Sequence, residues 1–247
     1  MYELNGKTAL VTGAAKRVGR AIAVGLASSG SNIIVHYDKS EDEAKKLVDE
    51  IAGLGVKSWL VKADLSDAES CRRVIDQAFE ASGTMDILVN NASVFSVNEI
   101  DKVEPGNVED DLLTNAWAPF LLARHFSRKT EKGKIINLLD TRIAGYDFDH
   151  FAYYLSKRML EILTKSMALK FAPNMTVNAV APGLILPPEG KDYSYLEQKA
   201  GMVPLKKYGS VSDVLDTVLF LLRSDFVTGQ IIFVDGGKHL IQTMEGL

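Results

Sequence analysis

The sequence predicts an α/β fold in which one parallel sheet is covered by helices on both faces, and three observations support this prediction. Short apolar runs alternate with longer amphipathic stretches along the chain. The runs are almost continuously apolar, as strands buried on both faces are. Gly, Asn, Asp or Pro bounds each run, and these residues favour turns. Such alternation favours parallel strands joined by right-handed crossovers.

The apolar runs predict seven strands, and the amphipathic stretches predict six helices. We place the strands at 8–12, 32–37, 57–63, 86–90, 134–139, 175–181 and 230–235, and the helices at 17–29, 40–54, 67–82, 107–130, 150–172 and 211–223. No repeat, linker or change of composition divides residues 1–247, so we expect a single domain. The irregular stretch 183–205 is rich in Gly, Pro and Tyr and follows the sixth strand, where a substrate loop is expected.

Composition and charge argue against several classes of partner. The 247 residues are 47% hydrophobic and 24% charged, and the formal net charge is −4, so the chain lacks the basic field that favours nucleic acid or an anionic membrane. Cys71 is the one cysteine, which excludes an internal disulfide framework. The first residues lack the pattern of a signal peptide, and no apolar run approaches the ~18 residues of a membrane span. We therefore expect a cytoplasmic protein.

The first predicted strand runs directly into a glycine-containing turn, TGAAKRVGRAIA. Gly13 and Gly19 bracket this turn, which opens a predicted helix. Glycine lets the backbone approach a phosphate, and a helix N-terminus supplies free N–H donors and the positive end of the helix dipole. The turn therefore predicts a nucleotide phosphate site, although such turns also serve packing alone.

The end of the second predicted strand, NIIVHYDKS, bears on the choice of cofactor. We place the residue that faces the ribose at Tyr37, which is uncharged. Nearby cations and a hydroxyl would suit a 2′-phosphate and hence NADPH. If Asp38 faces the ribose instead, its carboxylate favours NAD. The residues in question are Lys16, Arg17, Lys39 and Ser40, of which the two lysines have the alternative of being solvated surface charges.

Two further strand ends carry small polar residues. Asp64 follows the third strand and has two open interpretations: a hydrogen bond to an adenine amino group, or the cap of the helix that starts near Asp67. The sequence NNAS at 90–93 ends the fourth strand, where it either lets the backbone approach a cofactor or forms a plain turn.

A tyrosine and a lysine four residues apart, Tyr153 and Lys157, share one face of a predicted helix. A nearby ammonium favours phenolate, so we expect the pKa of Tyr153 to fall towards neutrality and the phenol to serve as a proton donor. Asp140 lies thirteen residues before the tyrosine. An ionised carboxylate there would repel the developing oxyanion of a ketone but suit a nitrogen heterocycle. Alternatively, Asp140 caps the turn into TRIAG.

Seven motifs occur in order along nearly the whole chain: TGAAKRVG (12–19), DLSD (64–67), NNAS (90–93), Asn115, YYLSK (153–157), APG (181–183) and VDGG (234–237). Together they resemble the short-chain dehydrogenase/reductase family. The resemblance implies a Rossmann-type, doubly wound parallel sheet of seven strands, a nicotinamide cofactor and a homotetramer. It also implies that Tyr153 is the proton donor, Lys157 its partner, and Asn115 the holder of a water near the lysine.

The resemblance implies a set of residues around the cofactor. They are Gly13, Lys16, Arg17, Val18, Gly19, His36, Lys39, Ser40, Asp64, Leu65, Asn91, Ala92, Ser93, Tyr153, Lys157, Pro182 and Gly183. The catalytic serine of the family does not carry over, because Asp140 occupies its position. Thr141 is the possible substitute hydroxyl.

A narrower resemblance accounts for this departure. Asp140, Arg17 within TGxxxRxG, HYxKS (36–40), Phe95 and APGLILPPEG (181–190) are similar to the pteridine reductases. That resemblance implies that Asp140 and Tyr153 deliver protons to a reduced pterin and that Phe95 stacks on it. It also implies a 2′-phosphate grip, formed by Arg17, His36, Lys39 and Ser40.

The favoured hypothesis is therefore an NADPH-dependent reductase of a C=N bond in a dihydropterin- or dihydrofolate-like substrate. One alternative is a carbonyl reductase, acting on a small ketone or on a 3-oxoacyl group carried by acyl carrier protein, for which Lys206 and Lys207 would supply basic charge. Another is a non-catalytic NADP(H)-binding sensor. No metal site is predicted, because the histidines lack metal-ligand spacing.

Overall fold

Within residues 2–241, which the computed structural model describes, seven strands form one parallel sheet. Their order across the sheet is β3-β2-β1-β4-β5-β6-β7, and every neighbouring pair is parallel. This confirms the predicted fold class and strand positions. The strands are β1 (Thr8–Val11), β2 (Asn32–Tyr37), β3 (Ser58–Lys62), β4 (Ile87–Asn90), β5 (Gly133–Leu138), β6 (Met175–Pro182) and β7 (Ile231–Val234).

Helices cover both faces of the sheet. They are α1 (Arg17–Ser28), α2 (Glu41–Ala52), α3 (Ala68–Ser82), α4 (Pro105–Leu112), α5 (Ala118–Lys129), α6 (Phe151–Phe171), α7 (Ser194–Ala200) and α8 (Val211–Arg223). Helix α7 lies inside the stretch 183–205 and was not predicted, because its single apolar anchor, the fully buried Leu196, gives no helical period.

The predicted helix 107–130 is interrupted in the structure. A π-helical turn, Leu113–Trp117, separates α4 from α5 and contains Asn115. Pro119 follows the turn and has no N–H to donate to the carbonyl of Asn115, four residues earlier. The Ala118 N–H instead bonds the carbonyl of Leu113, which widens the helix by one residue. The break therefore has a local cause, and it lies beside the candidate site.

Two hydrophobic layers hold the sheet between its helices. Alternate strand residues face opposite sides, as the pleat requires. Val11 and Val35 pack with Ile22 and Leu26 of α1 on one face. On the other face, Leu10 and Phe126 belong to the layer that also contains residues of α3 and α6. Burial on both faces explains why the strands are apolar at consecutive positions.

The strand order reverses between β1 and β4, and ligands of such sheets bind where this reversal occurs. Thr12, just after β1, holds the two strand ends together, since its hydroxyl accepts hydrogen bonds from the N–H groups of Asn91 and Ala92, both at 2.9 Å. This pairing positions the glycine turn against the NNAS segment. No helix within residues 2–241 has the length and apolarity needed to cross a membrane.

Candidate active site

A cleft of about 710 Å³ runs along the carboxyl ends of the strands. Ligand pockets are typically of this size. Phe95 and Asp140 line it, as do all the predicted cofactor residues except Ser40 among those the structure describes. The cofactor residues in the wall are Gly13, Lys16, Arg17, Val18, Gly19, His36, Lys39, Asp64, Leu65, Asn91, Ala92, Ser93, Tyr153, Lys157, Pro182 and Gly183.

The glycine turn combines tight packing with free backbone donors. A Cβ on Gly13 would lie 3.0 Å from the Cα of Ala92, and one on Gly19 would lie 2.3 Å from the carbonyl oxygen of Gly13. Both glycines are thus required by packing. The turn also leaves the first N–H groups of α1 without a side-chain cap or an acidic neighbour. Uncapped donors at a helix N-terminus suit a phosphate, so the chain's own geometry fits a dinucleotide here.

The end of β2 differs from the prediction. Tyr37 is buried in the core and does not face the ribose position, whereas Asp38 lines the cleft. The side chain turns inward because Tyr37 completes the hydrophobic layer under β2. The Lys39 side chain is 93% exposed, and its ammonium lies 3.9 Å from the Asp38 carboxylate. The cleft thus offers one carboxylate and one flexible cation at this end.

Two members of the predicted 2′-phosphate grip are engaged elsewhere. His36 is buried, and its Nδ1 accepts the N–H of Gly13 at 3.2 Å. Burial lowers the pKa of His36 to about 4, so the imidazole is neutral and brings no charge to a phosphate. Arg17 reaches the stretch 183–205, where its guanidinium donates to the carbonyl of Pro187 at 2.7 Å. Lys16 forms an ion pair with Glu43 of α2 at 2.9 Å.

The third strand end separates the two interpretations of Asp64. The cap of α3 is Asp67, whose carboxylate accepts the N–H groups of Glu69 and Ser70. Asp64 instead accepts the N–H and the hydroxyl of Ser66, and these bonds lower its pKa. The capping interpretation of Asp64 is therefore wrong. Asp64 remains an ionised carboxylate in the wall of the cleft.

Tyr153 and Asp140 are in direct contact. The Tyr153 hydroxyl donates to Oδ2 of Asp140 at 3.0 Å. Burial and then the Asp140 charge raise the pKa of Tyr153 well above its ordinary value. The expectation of a pKa shifted towards neutrality is therefore wrong, since the carboxylate stabilises the protonated phenol. Tyr153 is held in its protonated form.

Lys157 lies behind Tyr153. Its ammonium donates to the carbonyl of Leu138 at 2.9 Å and lies 5.5 Å from the centre of the Tyr153 ring. Burial lowers the pKa of Lys157 to about 8, partly opposed by the negative charges of Asp140 and Asp111. The lysine therefore carries its charge at neutral pH and loses it in mildly alkaline solution.

Asp140 caps the turn that follows it, as one of the two interpretations held, and it also contacts Tyr153. Its Oδ1 accepts the N–H of Arg142 at 2.8 Å and so caps the short turn Thr141–Ala144. Its Oδ2 faces Tyr153. Thr141 does not replace the missing serine, because its buried hydroxyl donates to Asp235 at 2.5 Å. No neutral hydroxyl from this turn is left to face a ketone oxygen.

Phe95 lies in a cluster of charged and aromatic side chains at the mouth of the cleft. The His150 ring stacks on it at 4.4 Å, and the Tyr153 ring meets it edge-on at 4.7 Å. The Arg142 guanidinium lies 5.0 Å from its centre. Although His150 stacks on it, Phe95 is 47% exposed and its ring still borders the cleft.

Asn115 organises the loop after β4. Its side-chain oxygen accepts from the hydroxyl of Ser93 and the N–H of Val94, and its side-chain nitrogen donates to the carbonyl of Val94 and the hydroxyl of Ser156. These contacts occupy the side-chain amide, and the expectation that Asn115 holds a water near Lys157 stays a prediction. One turn earlier, the buried Asp111 accepts the hydroxyl of Ser96, which anchors the same loop on the far side of Phe95.

Four of these groups were missed by sequence reasoning. Arg142, Asp147 and His150 come together only through the path of the β5–α6 connection, and no spacing rule gives that path. Asp111 had a usable signal, since it lies four residues before Asn115 and so on the same helical face. Within the described residues, no group of three or more His, Cys, Asp or Glu side chains is arranged to hold a metal ion.

Comparison with known proteins identifies the family. The family model described as Enoyl-(Acyl carrier protein) reductase matches residues 13–239. The 3-oxoacyl-[acyl-carrier-protein] reductase FabG of Staphylococcus aureus (strain Mu50) is 34% identical over 242 residues, covering 95% of this chain and 98% of that protein.

Solved structures agree with this assignment. FolM alternative dihydrofolate reductase 1 from Brucella canis, complexed with NADP, has a TM-score of 0.92 at 31% identity and 96% coverage of both chains. The promiscuous reductase LugOII, which catalyses a keto-reduction, has a TM-score of 0.89 at 34% identity, covering 97% of this chain and 100% of that one. These relatives are reductases, which favours an enzyme over a sensor. The chain belongs to the short-chain dehydrogenase/reductase family.

Proposed function

We propose that the protein is an NADPH-dependent reductase of a C=N bond in a dihydropterin- or dihydrofolate-like heterocycle. The observation that carries the proposal is the Asp140 carboxylate within 3.0 Å of the Tyr153 hydroxyl, inside the cleft. When bound, NADPH supplies the hydride. Tyr153 gives its proton to the ring nitrogen, and Lys157 supports the charge that this transfer leaves on the phenol oxygen.

The substrate class follows from the groups that face it. An ionised carboxylate accepts hydrogen bonds from ring N–H and amino groups, whereas it repels the oxyanion that a ketone develops. Phe95 is 47% exposed in the wall of the cleft, so a planar ring can contact it beside the His150 ring and the Arg142 guanidinium that already lie against it. The protonated state of Tyr153 is favoured by Asp140, which suits reduction more than the reverse oxidation.

The cofactor preference rests on two lysines, of which Lys16 pairs with Glu43 and Lys39 is largely exposed. Lys16 and Lys39 line the cleft, and FolM from Brucella canis, a structural relative, forms a complex with NADP. Asp38 works in the opposite direction, since a carboxylate in this wall accepts ribose hydroxyls and repels a 2′-phosphate. We propose NADPH as the cofactor. Because Asp38 repels a 2′-phosphate, we expect the preference for NADPH over NADH to be weaker than the two lysines alone would give.

A second candidate function is reduction of a carbonyl group. The similarity to FabG and LugOII favours it. The residues around the cleft give little support, however, to a substrate carried by acyl carrier protein. Lys206 donates to the carbonyl of Gly201 in its own loop, and Lys207 lines a separate cavity of about 400 Å³. Asp110 lines the cleft itself, and an acidic wall is unfavourable for an acidic carrier.

We further propose a cytoplasmic homotetramer. Ile162 and Leu169, seven residues apart on α6, are 66% and 83% exposed. Trp117, at the end of the π-helical turn, packs on Phe120 of the neighbouring α5, and Trp117 is exposed. Exposed large apolar side chains on adjacent helices are typical of an interface.

The test is NADPH oxidation with dihydrobiopterin, dihydrofolate and an acetoacetyl thioester side by side, repeated with NADH. Turnover of the two pteridines, faster with NADPH, is the expected result. Turnover of the thioester alone would contradict the proposal and leave carbonyl reduction in its place. NADH as the better donor would contradict only the cofactor assignment.

Replacing the carboxylate tests its role directly. We expect Asp140→Ser to lower kcat/KM for dihydrobiopterin by about 10² to 10⁴-fold, the range of a positioned proton-transfer group. Reduction of the thioester should rise in the same variant, because a neutral hydroxyl then faces the substrate oxygen. The serine keeps an oxygen for the cap of Thr141–Ala144, so we expect the variant to fold. A loss of activity caused by misfolding would be accompanied by weaker NADPH binding. Unchanged pterin turnover would mean that Asp140 only caps the turn.

A further inference from the structure

The Asp140–Tyr153 contact creates an electrostatic problem during the reaction. Two electrons arrive with the hydride, the Tyr153 O–H bond breaks and an N–H bond forms on the substrate. The phenol oxygen is then negative, 3.0 Å from a carboxylate oxygen. Like charges at this distance disfavour each other strongly. A family member with a neutral serine at this position does not meet this repulsion, so a chain with aspartate needs a nearby positive charge.

Lys157 is poorly placed to supply all of that charge. Its ammonium is held by the carbonyl of Leu138 and lies 5.5 Å from the centre of the Tyr153 ring. Burial also lowers its pKa to about 8, so part of its charge is lost in mildly alkaline solution. Asp111, buried on α4, adds a further negative charge that acts on both Tyr153 and Lys157.

Arg142 meets the requirement. Its Nη1 lies 3.1 Å from Oδ2 of Asp140, the same oxygen that accepts the Tyr153 hydroxyl. A guanidinium does not lose its proton in proteins, so the charge is permanent. Its positive field also acts on Tyr153 in the direction opposite to that of Asp140.

The guanidinium is held in place from two further directions. Its Nε donates to Oδ2 of Asp147 at 2.5 Å, and Asp147 in turn accepts the N–H of His150 at 2.9 Å. Its Cζ atom lies 5.0 Å from the centre of the Phe95 ring, and His150 stacks on that ring. Arg142 therefore links the carboxylate, the aromatic platform and the start of α6 into one unit. A side chain needed only to stabilise the short turn would not require this bracing.

We propose that Arg142 is a positioning residue of the reaction, which aims Asp140 at Tyr153 and offsets the repulsion between them when Tyr153 gives up its proton. Asp147 is its support. The inference rests on the proposed function only in that Tyr153 is the proton donor, which holds for pterin and carbonyl reduction alike.

A double-mutant cycle tests the inference. The four proteins are the wild type, Arg142→Met, Asp140→Asn and the double variant, assayed with dihydrobiopterin and with the acetoacetyl thioester. On the probe that the wild type reduces, we expect Arg142→Met to lower kcat by about 10²-fold, as a misplaced catalytic group does, with a smaller change in KM. In the Asp140→Asn background the same change should cost less than about 2-fold, because the charge that Arg142 serves is gone.

Two further variants separate positioning from general stability. Arg142→Lys should restore much of the lost kcat, since a cation again reaches Asp140. Arg72→Met is the matched control, because Arg72 also bonds two carboxylates, Glu69 and Asp76, on the exposed face of α3. It should leave kcat unchanged. NADPH affinity, measured by fluorescence, confirms that each variant is folded.

Equal costs of Arg142→Met in both backgrounds, or no recovery with lysine, would overturn the inference. The proposed function fails separately, if the wild type reduces the thioester and leaves dihydrobiopterin unchanged. In that case the cycle on the thioester still decides the role of Arg142.

Discussion

At the scale of single residues, burial sets the proton chemistry of the site. Tyr153 and Lys157 are both buried, and burial disfavours the charged form of each. The phenol is therefore held protonated, while the ammonium is held less firmly than on a surface lysine. The first group to titrate as the solution becomes alkaline is Lys157, not Tyr153.

This order gives a pH dependence with a definite sign. Lys157 is charged below its pKa of about 8 and neutral above it. We expect kcat/KM for reduction to be level below this pH and to fall as pH rises through it, because the positive charge behind Tyr153 is lost. Initial rates across this range are the measurement. The kcat/KM of Lys157→Arg should not fall over this pH range, because arginine stays charged. A fall at the same pH in that variant would assign the titration to another group.

Some of these residues could be predicted from the sequence, and others could not. Tyr153, Lys157 and Asp140 have spacings that a helix and a strand end fix locally. Arg142 is two residues from Asp140, yet its contact with Phe95 depends on a loop that joins distant parts of the chain. The pKa of Tyr153 was mispredicted for a related reason, since it depends on burial and on which charge is nearest.

At the scale of elements, caps and breaks position the site. The cap of α3 lies at Asp67, three residues beyond the cleft residue Asp64. The π-helical turn before α5 is where Asn115 binds the loop that carries Phe95. The proline that causes this break was visible in the sequence, but the widened turn was not predicted because its geometry has no periodic signature.

The two aspartates offer a paired experiment. We expect Asp67→Ala to lower the denaturant midpoint of unfolding and leave NADPH affinity unchanged, because α3 loses its cap. Asp64→Ala should leave the denaturant midpoint unchanged and weaken NADPH binding about 2- to 10-fold, as loss of one hydrogen bond does. Urea unfolding and fluorescence titration measure the two effects. Equal behaviour of the two variants would show that Asp64 has no part in binding.

The apolar surface of α6 has a consequence for assembly. We expect Leu169→Glu to dissociate the proposed homotetramer, because a charge would be buried at the centre of an apolar interface. Light scattering coupled to gel filtration gives the mass. Leu54→Glu, a similar change at an exposed leucine after α2, is the control and should leave the mass unchanged. A wild-type protein that runs as a monomer would refute the interface.

At the scale of the whole molecule, the parallel sheet brings together side chains that are far apart in sequence. All seven strands of the described region end at the same edge, so Gly13, Asp64, Asn91, Asp140 and Pro182 meet in one cleft. This is why motifs scattered along the chain could predict the site. The direction in which a side chain points at a strand end is less predictable, as the inward turn of Tyr37 shows.

His36 couples this architecture to acid stability. Its pKa is about 4 in the folded protein against 6.5 unfolded, so the unfolded chain binds the proton first as pH falls. Its contribution is fully present above pH 6.5 and is lost as pH falls towards about 4. The full loss is about 3 kcal/mol, at 1.36 kcal/mol per pKa unit. Urea unfolding at a series of pH values measures it.

Asparagine provides the matched variant. His36→Asn keeps an acceptor for the Gly13 N–H without titrating, and we expect it to flatten the stability profile between pH 6.5 and about 4. His125→Asn, at a less buried histidine on α5, should leave most of the slope in place. A slope that persists in His36→Asn would mean that carboxylates, not this imidazole, control acid unfolding in that range.

The bond from Arg17 to Pro187 joins the glycine turn to the stretch 183–205. Arg17 adopts a left-handed backbone conformation, with φ at 54°, which is unusual for a residue with a side chain. We expect a phosphate at the start of α1 to compete with the Pro187 carbonyl for this guanidinium. We therefore expect cofactor binding to release this stretch, and steady-state kinetics to be sequential and ordered, with the nucleotide binding first and leaving last.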